Sequence, residues 1–284
     1  MNNQGTLYIV ATPIGNIADL SARAKKVLQT VDKIAAEDTR HSKLFLQKLG
    51  IDTPLVSYHD YSSSEAAQAI IKELQNGLSI ALISDAGTPL ISDPGYKLVR
   101  LARESALEVL PVPGASSVTA ALSVSGLPTD RFLFTGFLPV KSGARRRFLI
   151  ELKGEERTCV FFESPHRIVD CLNDMSAIIP SSREVFIARE MSKKFETHYL
   201  GSAEKCFRWI NADTYQQKGE FVIVVAGCDD SELEESKQEL AMKIVNRLGE
   251  KISMKDAVNI ATEISGARRN LLYERVLAKK SEYV

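Results

Sequence analysis

The sequence predicts an α/β protein: two α/β domains followed by a small helical C-terminal tail. Three observations predict it. Short apolar runs alternate with amphipathic helical patterns through the first half of the chain, the signature of βαβ units and a mainly parallel sheet. Loops rich in Gly, Pro and small polar residues follow four of those runs. From Asp229 onward the strand-like runs stop; an acidic stretch and short helical patterns replace them. The boundaries fall at 1–120, 121–228 and 229–284, with the first break between Gly114 and Gly126.

The elements follow in order. Thr6 to Val10 reads as a strand, and Leu20 to Leu28 as a helix capped by Asp19 or Ser21. Lys33 to Ala36 is a strand, and Ser42 to Leu49 a helix closed by Gly50. Leu55 to Tyr58 is a strand. Ser64 to Leu74 is an amphipathic helix with Ala67, Ile70, Ile71 and Leu74 on one face. Ile80 to Ile83 is a buried strand that ends on an aspartate. Tyr96 to Arg103 is a helix, Glu108 to Val112 a strand and Ser117 to Val124 a helix. The second half carries strands at Phe132 to Phe137, Thr158 to Phe162, Val185 to Ala188, Thr197 to Leu200 and Phe221 to Ala226. Fewer helical patterns separate these, which suggests a mixed sheet. The acidic run Asp229 to Glu235 reads as a linker. Beyond it, Met254 to Ile264, a Ser-Gly-Ala turn and Arg268 to Leu277 have helix-turn-helix spacing; a helical cap on the body is the equal alternative.

Composition narrows the class. Of 284 residues, 44% are apolar and 25% charged, as in ordinary globular proteins. Thirty-six basic residues balance 36 acidic ones, so no overall positive field draws in nucleic acid, although local patches remain open. The cysteines Cys159, Cys171, Cys206 and Cys228 form no C-x-x-C pair and suggest reduced thiols in a cytoplasmic protein. The first residues carry no positive charge and Pro13 breaks their apolar run, so no signal peptide is expected. No apolar run reaches the roughly 18 residues that would suggest a membrane span.

The loops are Ala11 to Asn16, Glu37 to His41, Ser84 to Pro89 and Pro111 to Ser117. A parallel sheet gathers such loops at its carboxyl edge, where α/β proteins bind ligands. None is G-x-G-x-x-G or a Walker A loop, and H-E-x-x-H and G-x-S-x-G are absent. The four histidines share no metal-ligand spacing, so no metal is expected.

Six stretches in this order resemble the tetrapyrrole-methylase superfamily of S-adenosylmethionine-dependent methyltransferases. They are ATPIGNIADLSARA, AEDTRHSKLFLQKLGI, ISDAGTPLISDPG, VPGASSVTAALSVSGLPTDRFLFTGFLP, FFESPHRI and KGEFVIVV. Within it the chain is similar to the branch that methylates the ribose 2′-oxygen of a cytidine in 16S ribosomal RNA of the small subunit. The superfamily's usual Gly-Asp-Pro is here Ser84-Asp85-Ala86-Gly87-Thr88-Pro89, a departure typical of that RNA-modifying branch. The resemblance implies a homodimer and a cofactor cleft between the two α/β domains. It implies that Asp85 faces the cationic end of S-adenosylmethionine, with Ala86, Gly87, Thr88, Ser116 and Ser117 around it. Pro13 would line the floor, and Phe162 and Ala188 would close the site, although each on its own suits a plain core role slightly better.

Methyl transfer from a sulfonium needs positioning and desolvation more than covalent help. A ribose hydroxyl benefits from a base, and Glu37, Asp38, His41, His59, Asp60 and Glu163 are the candidates. Arg40 holds an RNA phosphate or pairs with Asp38; the sequence leaves both open. Lys141, Arg145, Arg146 and Arg147 form one basic patch, Arg268 and Arg269 another. Each suits phosphate contact or a solvated helix face. Two other readings stand beside RNA methylation: a methylase of a tetrapyrrole or other small molecule, and a non-catalytic RNA-binding assembly module.

Overall fold

The computed structural model describes residues 4–59, 64–249 and 251–281. The chain forms two compact units, one holding the described residues up to Val124 together with Ala188–His198, the other holding Ser125–Ile187 and everything described from Tyr199 on.

The first unit is built on a parallel sheet. Its strands are β1 (Thr6–Val10), β2 (Lys33–Ala36), β3 (Leu55–Ser57), β4 (Ile80–Ile83) and β5 (Glu108–Val112), in the order β3-β2-β4-β1-β5. Leu7, Tyr8 and Ile9 pair with Ile80, Ala81 and Leu82, and β1 pairs with β5 along its length. Because both faces are covered, β4 is buried at every position, as its unbroken apolar run predicts. The helices are α1 (Ala22–Thr30), α2 (Thr39–Lys48), α3 (Ser64–Gln75), α4 (Tyr96–Glu104) and α5 (Ser117–Ser125). Ala24 and Leu28 of α1 share a core with Leu46 of α2, Val10, Ile34 and Ile83. Ile70 and Leu74 of α3 share the other core with Leu98 of α4, Leu7, Ile80 and Leu82. So α1 and α2 cover one face and α3 and α4 the other.

Ser21 caps α1 by accepting from Ala24 N–H. α2 starts three residues earlier than the apolar pattern indicates. Asp38 is its cap, and its carboxylate accepts from the N–H groups of Arg40 and His41.

The second unit contains β6 (Phe132–Phe137), α6 (Ser142–Glu151), β7 (Thr158–Glu163), α7 (Ile168–Ile178), β8 (Glu184–Arg189), β9 (Thr197–Ser202), α8 (Ala203–Ala212) and β10 (Phe221–Val225). The strand order is β6-β7-β10-β8-β9; the ends of β8 and β9 that flank their connecting loop group with the first unit. β6 runs parallel to β7, and β10 runs antiparallel to it, so this sheet is mixed. Helices α6, α7 and α8 separate these strands, more helix than the sparse patterns in the sequence suggest. Their inward faces, including Leu149, Cys171, Leu172, Met175, Cys206 and Ile210, fill one core with Phe161, Phe221 and Ile223. All four cysteines are buried free thiols, and desolvation pushes Cys159 and Cys206 up to about 12.

The acidic run after Asp229 is not a linker. It is the first turn of α9 (Asp230–Leu248), whose N–H groups favour negative charge. Glu232 holds Arg183 at 2.6 Å, and that guanidinium, 2% exposed, also donates to Leu152 O and Lys153 O at 2.7 Å. α10 (Met254–Ser265) and α11 (Arg269–Ser281) follow, joined through left-handed Gly266. Ala241, Val245, Val258, Ala261, Leu272 and Val276 give the three helices a core of their own. No described helix is long and apolar enough to cross a membrane.

The Arg183–Glu232 pair generates a prediction. Glu232→Ala leaves a buried guanidinium without its counter-charge and should cost about 3 kcal/mol of stability. Urea unfolding of parent and variant measures it; a loss within error would show that the two carbonyls alone satisfy Arg183.

Candidate functional site

The carboxyl edge of the first sheet is locked together by short hydrogen bonds. Thr12 N–H donates to Gly87 O at 2.8 Å, and Gly87 N–H donates back to Thr12 O at 3.1 Å. The Thr12 hydroxyl, 3% exposed, donates to Ser84 O at 3.3 Å. Thr88 Oγ1 donates to Ala115 O at 3.0 Å, tying in the loop after β5. Asp38 N–H donates to Asp85 Oδ1 at 3.2 Å, tying in the loop after β2. Loops from four strands therefore meet. They meet where adjacent strands β1 and β4 send their connections to opposite faces, the switch point at which open α/β sheets bind ligands.

Two glycines make this approach possible. Gly87 has φ +78°, and a side chain there would also press on Ile14 Cγ2 at 3.4 Å. A Cβ on Gly114 would lie 2.9 Å from the Ala11 Cβ. Around them Asp85 and Ala86 are exposed, while Pro13, Thr88, Ser116 and Ser117 are half-buried. Of the exposed Asp85 carboxylate, Oδ1 accepts the Asp38 N–H. The expectation for these seven residues thus meets a compact cluster. Thr12, which sequence reasoning passed over, is its hub; its place between an apolar run and a proline was the only signal, and a weak one.

The other candidates lie in different surroundings. Ala188 is fully buried on β8. Phe162, half-buried in the second unit, packs edge-on to Phe134 and Phe137 at centroid distances of 4.8 and 5.8 Å. Asp38 spends Oδ1 on the α2 cap, and those backbone N–H groups hold its carboxyl below the usual range. Arg40 stands 3.7 Å from Asp38 and is almost fully exposed, so the ion pair forms without removing Arg40 from solvent. His41 is exposed at the same corner, and Glu37 and His59 are half-buried near the ends of β2 and β3. Asp60 lies outside the described residues. Glu163 is buried at the end of β7, where it accepts from Ser164 N–H at 2.8 Å and from Arg167 at 3.1 Å. Burial pushes its carboxyl up, against the pull of Ser164 and Arg167.

The basic patch requires a correction. α6 places Arg145 on the same side as Leu149, one turn on, and that side faces inward. Arg145 is 3% exposed and grips Asp174 of α7, with Nη2 to Oδ2 at 2.6 Å. It cannot contact RNA. Arg146 shares Asp174 at 3.4 Å while half exposed, and Lys141 and Arg147 are exposed. In the tail, Arg268 and Arg269 are exposed at the start of α11, with Arg268 Nε 3.7 Å from Glu234.

Comparison with known proteins identifies the architecture. Residues 6–206 match the family described as Tetrapyrrole (Corrin/Porphyrin) Methylases. The chain belongs to the tetrapyrrole methylase family. Residues 234–280 match the description "RsmI C-terminal HTH domain", which covers most of the three tail helices. A Pseudomonas aeruginosa protein named ribosomal RNA small subunit methyltransferase I is 46% identical over 98% of this chain and 99% of its own length. A Xylella fastidiosa protein of the same name is 48% identical over 96% of this chain and 99% of its own. Among solved structures, diphthine synthase is similar with a TM-score of 0.58 at 13% identity, over 83% of this chain and 95% of that one. Uroporphyrin-III C-methyl transferase from Thermus thermophilus, complexed with S-adenyl homocysteine, has a TM-score of 0.52 at 17% identity, over 78% of this chain and 97% of that one. These two share the tetrapyrrole methylase fold and, at such identities, no more.

The burial of Glu163 generates a pH prediction. Its carboxyl keeps a proton to higher pH in the folded protein than in the unfolded chain. Its contribution to stability is therefore complete below the ordinary carboxylate range and is lost as pH rises through the raised folded value. Glu163→Gln should flatten the stability profile over that window. Urea midpoints taken from acid to neutral pH measure it; parallel profiles would show that Arg167 and Ser164 fully offset desolvation, and a parent profile that instead rises with pH relative to the variant would show that they outweigh it.

Proposed function

We propose that this chain transfers a methyl group from S-adenosylmethionine to the ribose 2′-oxygen of a cytidine in 16S ribosomal RNA of the small subunit. The observation that carries the reading is the similarity to ribosomal RNA methyltransferases along the whole chain, helical tail included. A small-molecule methylase has no evident use for that tail. A non-catalytic module has no need of the interlocked Thr12–Gly87 loops.

The switch-point cluster fits the cofactor. The exposed Asp85 carboxylate offers an acceptor to its cationic end, and the Ala86–Gly87–Thr88 backbone meets it with no side chain in the way. Ser116 and Ser117 contribute hydroxyls from the loop after β5, and Pro13 the apolar floor. Ala188, which groups with the first unit, completes the proposed set. When bound, S-adenosylmethionine supplies an electrophilic methyl on a sulfonium whose leaving group departs neutral. The protein's task is then to hold the ribose oxygen in line and keep water out.

Two base candidates are committed elsewhere. Asp38 is occupied as the α2 cap, and Glu163 is sealed behind Arg167 and Ser164. Glu37, His41 and His59 remain among the described candidates, and His41 has the exposure to take a proton from a docked ribose; Arg40, a permanent cation, serves to hold an anion there. Lys141, Arg146, Arg147, Arg268 and Arg269 are proposed phosphate contacts. The protein works as a homodimer in the cytoplasm, as the resemblance implies; its mass in solution tests the first part.

The central test is methyl transfer from labelled cofactor to small-subunit particles that lack the modification, with the ribose methyl then mapped on 16S RNA. Transfer to a cytidine 2′-oxygen is expected, and absence of transfer would overturn the reading. Asp85→Ala and Gly87→Val should each weaken cofactor affinity at least about tenfold, one by removing an acceptor and the other by forcing a β-branched residue to positive φ. Titration calorimetry measures both; unchanged affinity in the two variants would move the cofactor site elsewhere.

A further inference from the structure

We propose that the shared outer face of α1 and α2 is a docking surface for the phosphate backbone of the RNA substrate. The inference rests on the ribosomal RNA reading and names a surface distinct from the α6 and α11 patches.

The charge distribution carries it. α1 presents Arg23, Lys25 and Lys26, and α2 presents Arg40, Lys43 and Lys48, all exposed. Neither helix contains a single Asp or Glu. In a chain whose formal charge sums to zero, six cations without one anion on two neighbouring helices is a local excess. The opposite face has a weaker bias: α3 sets Lys72 against Glu65 and Glu73, and α4 sets Lys97, Arg100 and Arg103 against Glu104, with Arg100 paired to Glu104 at 2.5 Å.

These cations are also available. Among the described residues only Arg40 has a carboxylate in ion-pair range, Asp38 at 3.7 Å. The acidic residues flanking the helices are engaged elsewhere. Asp19 accepts from the Ser192 hydroxyl, Asp32 from Ser79 N–H and Asp38 from its own helix. Glu37, just before the α2 cap, is half-buried and has a partner of its own, and Asp52, beyond the end of α2, lies exposed.

The position ties this face to the chemistry. Both helices pack on the same side of the sheet, Ala24 and Leu28 beside Leu46. α2 begins at Asp38, whose N–H donates to Asp85 in the proposed cofactor loop. A strand of RNA held along Lys48, Lys43 and Arg40 is thereby led to the corner where Asp85 and His41 stand. Point charges on flexible stems suit this role, because phosphate contacts set register and orientation without reading sequence.

The test is the variant Arg23→Gln, Lys26→Gln, Lys43→Gln and Lys48→Gln combined, which spares Arg40 and every proposed cofactor residue. Affinity is measured at several salt concentrations for small-subunit particles and for a 16S RNA transcript, with Arg146→Gln plus Arg147→Gln as comparison. The four changes should weaken RNA binding about tenfold or more and lower the log–log salt slope by roughly 3, at about 0.7 to 0.9 per lost phosphate contact. S-adenosylmethionine affinity, read by calorimetry, should stay unchanged and thereby certify the fold. Methyl transfer should show a raised KM with kcat retained at saturating particles. Unchanged affinity and slope, in a preparation whose parent methylates ribosomal RNA, would overturn the docking surface and leave the proposed function standing. Loss on particles but not on the transcript would mean the face meets ribosomal protein, and would overturn it too. A parent protein that transfers no methyl to RNA would defeat the proposed function, and the docking surface with it.

Discussion

The reciprocal backbone bonds between Thr12 and Gly87 are the constraint on which the first unit's chemistry depends. Each strand of a parallel sheet ends with a free carboxyl-edge loop, and nothing in the sheet itself dictates where that loop goes. Here one loop is stitched to another by main-chain atoms, so the geometry depends little on side-chain rotamers. Burying the Thr12 hydroxyl against Ser84 O stiffens the join, since a buried polar group that lost its partner would be costly. Thr88 and Asp38 extend the same lock to the loops after β5 and β2. Preorganisation of this kind lets a small ligand meet backbone that is already in place.

The second unit solves a different problem with charge. Arg145 and Asp174 lie between α6 and α7, and Arg183 and Glu232 lie between the β8 region and α9. Each guanidinium also reaches main-chain carbonyls, Val140 O in the first case and Leu152 O and Lys153 O in the second. Val140 O lies just before the N-cap of α6, and Leu152 O and Lys153 O lie in the 3-10 turn that follows it, Leu152 O also accepting from Glu155 N–H. The arginines thus serve as struts that bind main-chain carbonyls as well as their own counter-ions, and Arg183 ties the charged start of α9 to the body.

Much of the first unit was legible because its rules are local. Apolar runs such as Ile80 to Ile83 are bounded by small polar residues, and the Gly- and Pro-rich loops announce the carboxyl edge. The start of α2 was not legible, because Asp38 signals a cap only once its neighbours are known to be helical. α6 was hidden by its own composition: four basic residues from Lys141 to Arg147 read as surface, whereas helical phase sends Arg145 inward. Its counter-charge, Asp174, lies 29 residues away in sequence. The acidic start of α9 misled for the same reason, since Arg183 is 49 residues distant. Contacts of that range leave no local trace. The hub of the candidate site, Thr12, was in view but unremarkable, because its importance lies in main-chain geometry that any residue's N–H and C=O could provide.

The sealed cysteines have a practical consequence. A thiol reacts as its thiolate, and burial holds all four here in the protonated form, with Cys171 the most deeply enclosed. The native chain should therefore react slowly with maleimides and iodoacetamides, Cys228, 9% exposed, being the least enclosed of the four. A single cysteine introduced on the exposed side of α2, at Leu44, would be the fastest-reacting thiol on an otherwise unaltered background. A fluorophore or spin label there could report on the approach of RNA without a cysteine-free variant having to be built first.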